Sequence, residues 1–576
     1  MAHHITDDLS IVIAGQAGQG IQSVAHLLTH ILKLQGFHVF ATAEYMSRVR
    51  GGINSTTIRI SSEKRDAFRS TIDLFVSLDP RSFSFYKHRF NDKTMFLGFR
   101  DAEFCQDCVM EVNFISIAQS IGGTLYANTV AAGAILGLIG ADEKHAREYL
   151  RNFFVKKGKD IITKNQEALS RGFKMGAHFA FSHDVHVAMK TKEAVKDDLF
   201  MSGIDAVGFG ALAAGVDFCV AYPMSPSTGL LTFLAQNSKE CGAVVEQATD
   251  EIEAVNMALG ASYAGARSIV TTSGGGFDLM CEAVSLAGMI ETPITFHIGQ
   301  RPGPATGLPT HTGQEDLNLV LHAGHGEFMR AIFAPGTPMQ AYAVTAHALD
   351  IADKYQIPTF VLTDQYFVDA LYKVEKNDFV EQNNVKHIIE TTRDYKRYAL
   401  TENGVSERGV PGFGDGLVCV DGDEHDETGR ITEDTRGIHM HMAEKRLFKR
   451  RALLEEVMLL PEVITQKTTT GRSKKSGKKL IVCWGSTRNT VVEAVSEAGN
   501  QDMTVVHFVQ LFPLDKKKIK KIFAKAEKVI VVENNATGQF AHLLTQECDI
   551  AIDKTILKWN GEPFNVEELV EQIKKM

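Results

Sequence analysis

Apolar and polar positions along the chain fall into three blocks in which short hydrophobic runs alternate with amphipathic stretches. In the central block the runs Phe218–Ala221, Ser268–Thr271 and Ile294–Ile298 are almost wholly apolar, and each leads into a turn rich in proline or glycine. That is the pattern of buried parallel strands. The carboxyl ends of such strands converge on one crevice of an open α/β sheet, where ligands bind. At or near those ends stand Ser225, Glu251, Ser273, Arg301 and Thr310. The block opens near Gly203 with a helix over Ile204–Gly215 and alternates strand and helix as far as Thr359–Asp364, which predicts a mostly parallel sheet.

The first block opens with a strand at Ser10–Ala14, a turn holding Gly15, Gly18 and Gly20, and an amphipathic helix through Leu34. A glycine turn leading into a helix N-terminus lets backbone N–H groups approach an anion. The spacing is G-x-x-G-x-G, not the dinucleotide G-x-G-x-x-G, so a tight turn and a phosphate cradle both stand. Short strands follow in HVFATAEY, STTIRIS and IDLFVSL, with Arg48 and Arg50 in the loop SRVRGG between the first two. From Asn128 to about Phe181 the pattern is helical, and the polar run 183–198 reads as a linker. After about Arg393 regularity is lost for some eighty residues, and a stretch that long without elements is usually functional or wraps a partner. The lysine-rich GRSKKSGKK reads as a flexible linker. A last strand–helix block follows it. The expected domains are 1–185, 200–395, 396–477 (irregular loop and linker) and 478–576.

Composition narrows the class. The chain has 576 residues, 44% of them hydrophobic and 23% charged, with net charge −9. Nothing in that balance marks a nucleic-acid binder. Met1–Ser10 carries no apolar leader core, and the best apolar run, Val130–Ala141, falls short of the ~20 residues that span a bilayer. The eight cysteines are scattered, so no disulfide framework is expected, and the expected location is cytoplasmic. Cys105 and Cys108 form one CxxC without a second pair. An iron–sulfur cluster needs about four suitably spaced thiolates, which this chain does not offer. Asp421, Asp423, Glu424, His425 and Asp426, with His439 and His441, imitate a metal set but read as solvated loop residues. No metal site is expected.

For the central residues two readings stand side by side. Glu251, at a helix start after the strand VVEQ, suits holding a proton at a ring nitrogen of a cofactor; it equally suits complementing the helix dipole beside Asp250 and Glu253. Arg301 suits bidentate pairing with a carboxylate, or it is a solvated arginine. Ser225 and Thr310 offer hydroxyls from Pro-rich turns. Together they describe a site for a small acidic substrate.

The segments YPMSPST, EQATDEIEAVNMALGASYAGA, TSGGGFDLM, QRPGPATGLPT and GHGEF resemble the α subunit of the thiamine-dependent 2-oxoacid:ferredoxin oxidoreductases, most of all its 2-oxoglutarate type. GQAGQGIQ and RVRGG resemble that family's γ part, fused here ahead of the α part. The similarity covers nearly the whole chain. It implies a multi-domain α/β fold: an N-terminal γ-type domain, a pyrimidine-type thiamine-diphosphate-binding domain, and a transketolase C-terminal-like domain. The implied reaction is coenzyme A-dependent oxidative decarboxylation of 2-oxoglutarate to succinyl-CoA and carbon dioxide with reduction of ferredoxin, or its reversal.

By position, the resemblance assigns Glu251 to the aminopyrimidine of thiamine diphosphate, with Pro223 and Ser273 on the cofactor side. Arg301 matches the arginine that pairs with the substrate carboxylate; Tyr222, Ser225 and Thr310 line the substrate pocket. Met224 and Ser225 depart from the family's usual Ile and Thr, and serine keeps the hydroxyl. Gly18, Gln19, Gly20 and Arg50 are the candidates for coenzyme A. The Gly414–Gly416 GDG sits in the irregular stretch with no asparagine until Asn489, so the diphosphate half, its Mg²⁺ and a [4Fe–4S] cluster are expected in a separate β subunit, in an (αβ)₂ assembly. Pyruvate and branched-chain 2-oxoacids are alternative substrates. A silent scaffold subunit and a dinucleotide-dependent dehydrogenase are alternatives of other classes.

Overall fold

In the computed structural model residues 3–17, 19–46, 52–100, 108–465, 477–500 and 502–576 are described. The chain forms two compact units, one of Met1–Met201 with Ala370–Asn377 and Asn565–Glu567, the other of the remaining residues.

The first unit is built on an eight-stranded mixed sheet. The strand Asp8–Gln16 lies between Ile53–Ser61, antiparallel, and Leu74–Ser77, parallel. Leu371–Val374 re-enters this unit to pair with His38–Glu44. The helix Ile21–Leu34 buries Val24, Leu28, Ile31 and Leu32 against the sheet. Beside it, helices Ala127–Leu138 and Lys159–Ser182 approach closely because glycines face backbone. A Cβ on Gly137 would lie 2.0 Å from the Phe173 carbonyl oxygen, and one on Gly176 1.9 Å from that of Ala134. Alanine at either position would force the helices apart.

The second unit carries a seven-stranded and a five-stranded sheet. In the larger, Val244–Gln247, Phe218–Ala221, Ser268–Thr272, Ile294–Gln300, Pro358–Asp364 and Ala331–Phe333 lie side by side in parallel. The antiparallel strand Gln510–Phe512 closes the edge. Strands read as apolar on both faces are buried throughout: every residue of Ser268–Thr272 and of Ile294–Gln300 is buried. One core runs through both sheets, with Phe277, Phe296 and Phe360 from the larger and Trp484, Phe508 and Phe540 from the smaller. Among the described residues no helix is long and apolar enough to cross a membrane.

The structure departs from the expectation of eighty irregular residues. A helix spans Ile438–Ala452 inside that stretch and continues into a π-turn at Leu453–Val457. Its buried face is Met442, Lys445, Arg446, Lys449 and Ala452, a helical spacing written largely in cations. Lys445 and Lys449 reach the buried carboxylate of Glu291 at 2.7 and 2.5 Å. Before that helix, the chain is irregular but pinned: Arg397 donates to Gln356 Oε1 and to the Glu291 carbonyl, both at 2.6 Å, and Arg408 pairs with Asp353. Of the lysine-rich linker 471–479, residues 471–476 lie outside the described residues, and Lys479 begins the strand Lys479–Trp484.

Candidate functional site

Four strand ends and one excursion of the chain build the site. After Phe218–Ala221 the chain turns through Tyr222, Pro223, Met224 and Ser225, with a cis bond between Ser225 and Pro226. Ser227 Oγ and the Ser227 and Thr228 N–H groups all donate to the Met224 carbonyl, which closes the turn. Tyr222 and Ser225 are left exposed, and Pro223 half-buried.

Under the turn lies a fully buried relay. His297 meets Thr271 Oγ1 at 2.8 Å and Thr363 Oγ1 at 2.9 Å, and Thr271 donates to the Ser227 carbonyl. Burial pushes His297 down to about 3, so the imidazole is neutral and serves as a strut.

Glu251 begins the helix Glu251–Tyr263 but does not cap it. Asp250 accepts from the Glu253 N–H at 2.8 Å, and Glu253 accepts from Thr249 N at 2.6 Å. The helix start is thus capped by its neighbours, and Glu251 stands in the first turn without a capping bond of its own. Glu251 is 4% exposed, with Oε1 buried and without a hydrogen-bond partner. A buried carboxylate oxygen left unpaired is costly unless a group from outside the chain meets it.

Gly276 is what Glu251 faces. The strand Ser268–Thr272 ends in Ser273, which leads the short helix Gly274–Asp278. A Cβ on Gly276 would lie 2.2 Å from Thr272 Oγ1 and 2.7 Å from Glu251 Oε1. Thr272 Oγ1 is also buried without a partner. Ser273 is fully buried, and its hydroxyl is directed at Met224 Sδ at 2.6 Å. Met224 therefore occupies the Ser273 hydroxyl.

Arg301 follows Ile294–Gln300. Its Nη1 donates to the Ser225 carbonyl at 2.7 Å, which fixes the guanidinium against the 222–225 turn, while Nε is buried without a partner. Burial pulls the guanidinium down from its ordinary value, and Asp316 opposes that. The chain then makes an excursion through Pro302–Leu308, closed by the Leu308 N–H on the Pro302 carbonyl. Thr310 is half-buried on this excursion. Just beyond it, Thr312 donates to Asp364 at 3.1 Å and Gln314 donates to the Trp484 carbonyl at 2.9 Å. Burial pushes Asp364 up to about 6 despite its three donors, Ser486, Phe367 N and Thr312.

Direct contacts therefore join Arg301 to Ser225, Ser273 to Met224, and Glu251 to the Gly276 turn. Missing from the sequence reading were Thr272, Gly276, His297 and Asp316. Asp316 stood in QED immediately after the Pro/Gly-rich excursion, and that adjacency was the available signal.

The remaining candidates lie in the first unit. Gly18 and Arg50 fall outside the described residues, as does Cys105. Gln19 Oε1 accepts from Gln16 N at 2.8 Å and braces the turn. Gly20 has φ +77, with Asn128 Nδ2 2.1 Å from where a Cβ would sit, so glycine is required there both for conformation and for room. A cavity of about 810 Å³ opens beside this turn, walled by Gln19, Gly20, Ser23, Asn128, Phe153 and Lys157 among others. Burial pushes the Cys108 thiol up to about 11, which makes it a poor nucleophile and ligand. The acidic loop is spent on its own folding: Glu424 binds Arg446 and His439, Asp426 binds Thr428, and His425 stacks on Tyr398. Within the GDG, Asp415 N donates to the Thr391 carbonyl.

Residues 209–445 match the family described as pyruvate flavodoxin/ferredoxin oxidoreductase, thiamine diP-bdg. Residues 10–175 match pyruvate ferredoxin/flavodoxin oxidoreductase, and 470–572 the transketolase C-terminal domain. The 2-oxoacid:ferredoxin oxidoreductase subunit alpha of a Sulfolobus species is 28% identical over 99% of this chain and 97% of its own length. The 2-oxoglutarate synthase subunit KorA of Methanocaldococcus jannaschii is 31% identical over 64% of this chain and 97% of its own. Among solved structures, the 2-oxoglutarate:ferredoxin oxidoreductase from Magnetococcus marinus, with 2-oxoglutarate, coenzyme A and succinyl-CoA bound, superposes with TM-score 0.90 at 30% identity, covering 99% of each chain.

Proposed function

This chain belongs to the 2-oxoacid:ferredoxin oxidoreductase family, as an α subunit with a γ-type domain fused ahead of it, and on that premise we propose that it acts on 2-oxoglutarate. The reaction is oxidative decarboxylation to succinyl-CoA and carbon dioxide, with two electrons leaving one at a time to ferredoxin. The observation that carries the reading is the Glu251 carboxylate oxygen Oε1, buried against Gly276 without a hydrogen-bond partner among the described residues.

That orphan oxygen fits the aminopyrimidine end of thiamine diphosphate. When bound, the cofactor supplies the carbon nucleophile and electron sink that decarboxylation of a 2-oxoacid requires. Glu251 holds a proton at the ring nitrogen, and the uncapped position of its carboxylate leaves it free to do so. Pro223 and Ser273 shape the cofactor side of the turn, Ser273 by anchoring Met224. Arg301, steadied by the Ser225 carbonyl, pairs with the substrate's carboxylate. Ser225 offers its exposed hydroxyl to a substrate oxygen, and Tyr222 and Thr310 line the approach.

The diphosphate half, Mg²⁺ and the [4Fe–4S] cluster belong to a β subunit in this reading. Among the described residues no group of three His, Cys, Asp or Glu is placed to hold a metal ion. Coenzyme A is assigned to the first unit, where the cavity beside Gln19 and Gly20 has room for a ligand of that size. The Magnetococcus marinus enzyme, with 2-oxoglutarate bound, and the KorA relative support the substrate.

The test is co-expression with a β subunit carrying GDG…N and four suitably spaced cysteines. Viologen reduction is then assayed with 2-oxoglutarate, pyruvate and 2-oxoisovalerate, with and without coenzyme A. Coenzyme A-dependent reduction with 2-oxoglutarate is expected. Reduction with one of the other acids alone would overturn the substrate, and none with any acid from a cofactor-loaded complex would overturn the activity.

A further inference from the structure

Asp316 is an acidic side chain of this site that the reaction has not used. Its place is fixed from two sides. Its N–H donates to Gln300 Oε1 at 3.1 Å, and Gln300 Nε2 donates to the Thr363 carbonyl at 3.2 Å. The next residue, Leu317, is fully buried. The carboxyl group lies over the Ser273–Gly276 turn: a Cβ on Gly274 would sit 2.3 to 2.4 Å from Cγ and both oxygens. Gly274 and Gly276 thus carry two carboxyl groups, Asp316 at one and Glu251 at the other. Asp316 Oδ2 is buried without a hydrogen-bond partner, as is Arg301 Nε.

An ionised carboxylate at this place would oppose the substrate. Arg301 is the cation it interacts with, and no ion pair joins the two. The charged groups that face Asp316 are Arg301, from the end of Ile294–Gln300, and Glu315, from its own loop, whose carboxylate accepts from Gly303 N at 3.0 Å. Gly274 presents only backbone to it, with Glu251 beyond at Gly276. Burial pushes the Asp316 carboxyl up to about 7, Glu315 adding to this and Arg301 opposing it.

We propose that Asp316 is a substrate-recognition residue: it meets the 2-oxoacid as a neutral carboxylic acid, donates its O–H to the substrate carboxylate held by Arg301, and repels that carboxylate once ionised. The assignment rests on the 2-oxoacid reading of the site. It gives the site a pH gate made of one proton, since only the protonated form leaves the charge of Arg301 wholly for the substrate. Glutamine at 300 and glycine at 274 are its supports, one fixing the backbone and the other making room for the carboxyl.

The assembled complex is assayed for kcat/KM with 2-oxoglutarate between pH 6 and pH 9, in the natural sequence and in Asp316→Asn. The natural complex is expected to lose about tenfold per pH unit once Asp316 ionises, above about pH 7, because the competent form of the free enzyme then falls by that factor. Asp316→Asn, neutral throughout and still a donor, flattens that limb. Asp316→Ser is the second variant, should the first not assemble, and flattens it too. A flat profile in the natural complex overturns the assignment, and so does an unchanged alkaline limb in either variant. Absence of turnover with any 2-oxoacid at every pH instead overturns the substrate reading on which the assignment stands.

Discussion

Glu251 and Glu291 are both buried glutamates of the second unit, 4% and 1% exposed, and their surroundings are opposite. Glu291 is enclosed by cations: Lys445 donates to both of its oxygens at 2.7 Å, and Lys449 adds a third contact. These cations hold its carboxyl far below the usual range in spite of burial, and burial in turn draws Lys449 down to about 7. Glu251 has one oxygen with no partner at all. A carboxyl group compensated inside its own chain holds the fold together; one left open is, in the proposed reading, kept for the cofactor. The same residue type, equally buried, thus has a structural duty in one place and a proposed chemical one in the other.

That contrast breaks most visibly at Glu251. Glu251→Gln in the assembled complex is expected to lower turnover by a factor on the order of 10² to 10⁴, the range for removing a positioned proton-transfer group. Melting temperature should hold or rise, because no intrachain partner is lost. A fall in melting temperature with normal turnover would reverse the assignment. Glu291→Gln should do the opposite, costing about 3–5 kcal/mol in denaturant unfolding by leaving Lys445 and Lys449 uncompensated. Turnover per folded complex should stay near normal.

A smaller effect sharpens the comparison from the backbone side. Gly276→Ala puts a methyl group where Glu251 Oε1 and Thr272 Oγ1 already are. Displacing Glu251 by about 1 Å is expected to cost roughly 10² in turnover. Normal turnover would show that the carboxylate's position is not critical. Ser225→Ala is the mildest change, since the Arg301 bond goes to the Ser225 carbonyl and survives. Loss of one substrate hydrogen bond of about 0.5–1.5 kcal/mol should raise KM for 2-oxoglutarate roughly two- to tenfold with kcat nearly unchanged.

The parts of the fold legible in the sequence are those written in apolar residues. The three strands of the central block announced themselves because they are buried on both faces, and their ends led to Glu251 and Arg301. The helix Ile438–Ala452 was not legible. Its inward face is Lys445, Arg446 and Lys449, and a search for hydrophobic periodicity counts those as surface. Distant partners, Glu291 and the Gln356 carbonyl for the lysines and Glu424 for Arg446, make this buried cationic face stable, and no local pattern announces them. The irregular stretch before that helix takes its order from long-range polar contacts, such as Arg408 with Asp353, that no spacing reveals. Asp316 escaped for a related reason: it became distinctive only when the fold set its carboxyl over Gly274. Glu251 could be singled out from its place at a strand end, but its release from capping duty needed the structure, which gives that duty to Asp250.

The most direct test of the open carboxylate is the exchange of the cofactor's thiazolium C2 proton for deuterium, measured by quenching the assembled complex before substrate is added. With thiamine diphosphate bound to both, the account predicts that Glu251→Gln slows exchange by a factor on the order of 10² to 10⁴, while Glu291→Gln exchanges as the natural complex does. Equal exchange in the natural complex and Glu251→Gln, with equal cofactor occupancy, would contradict it.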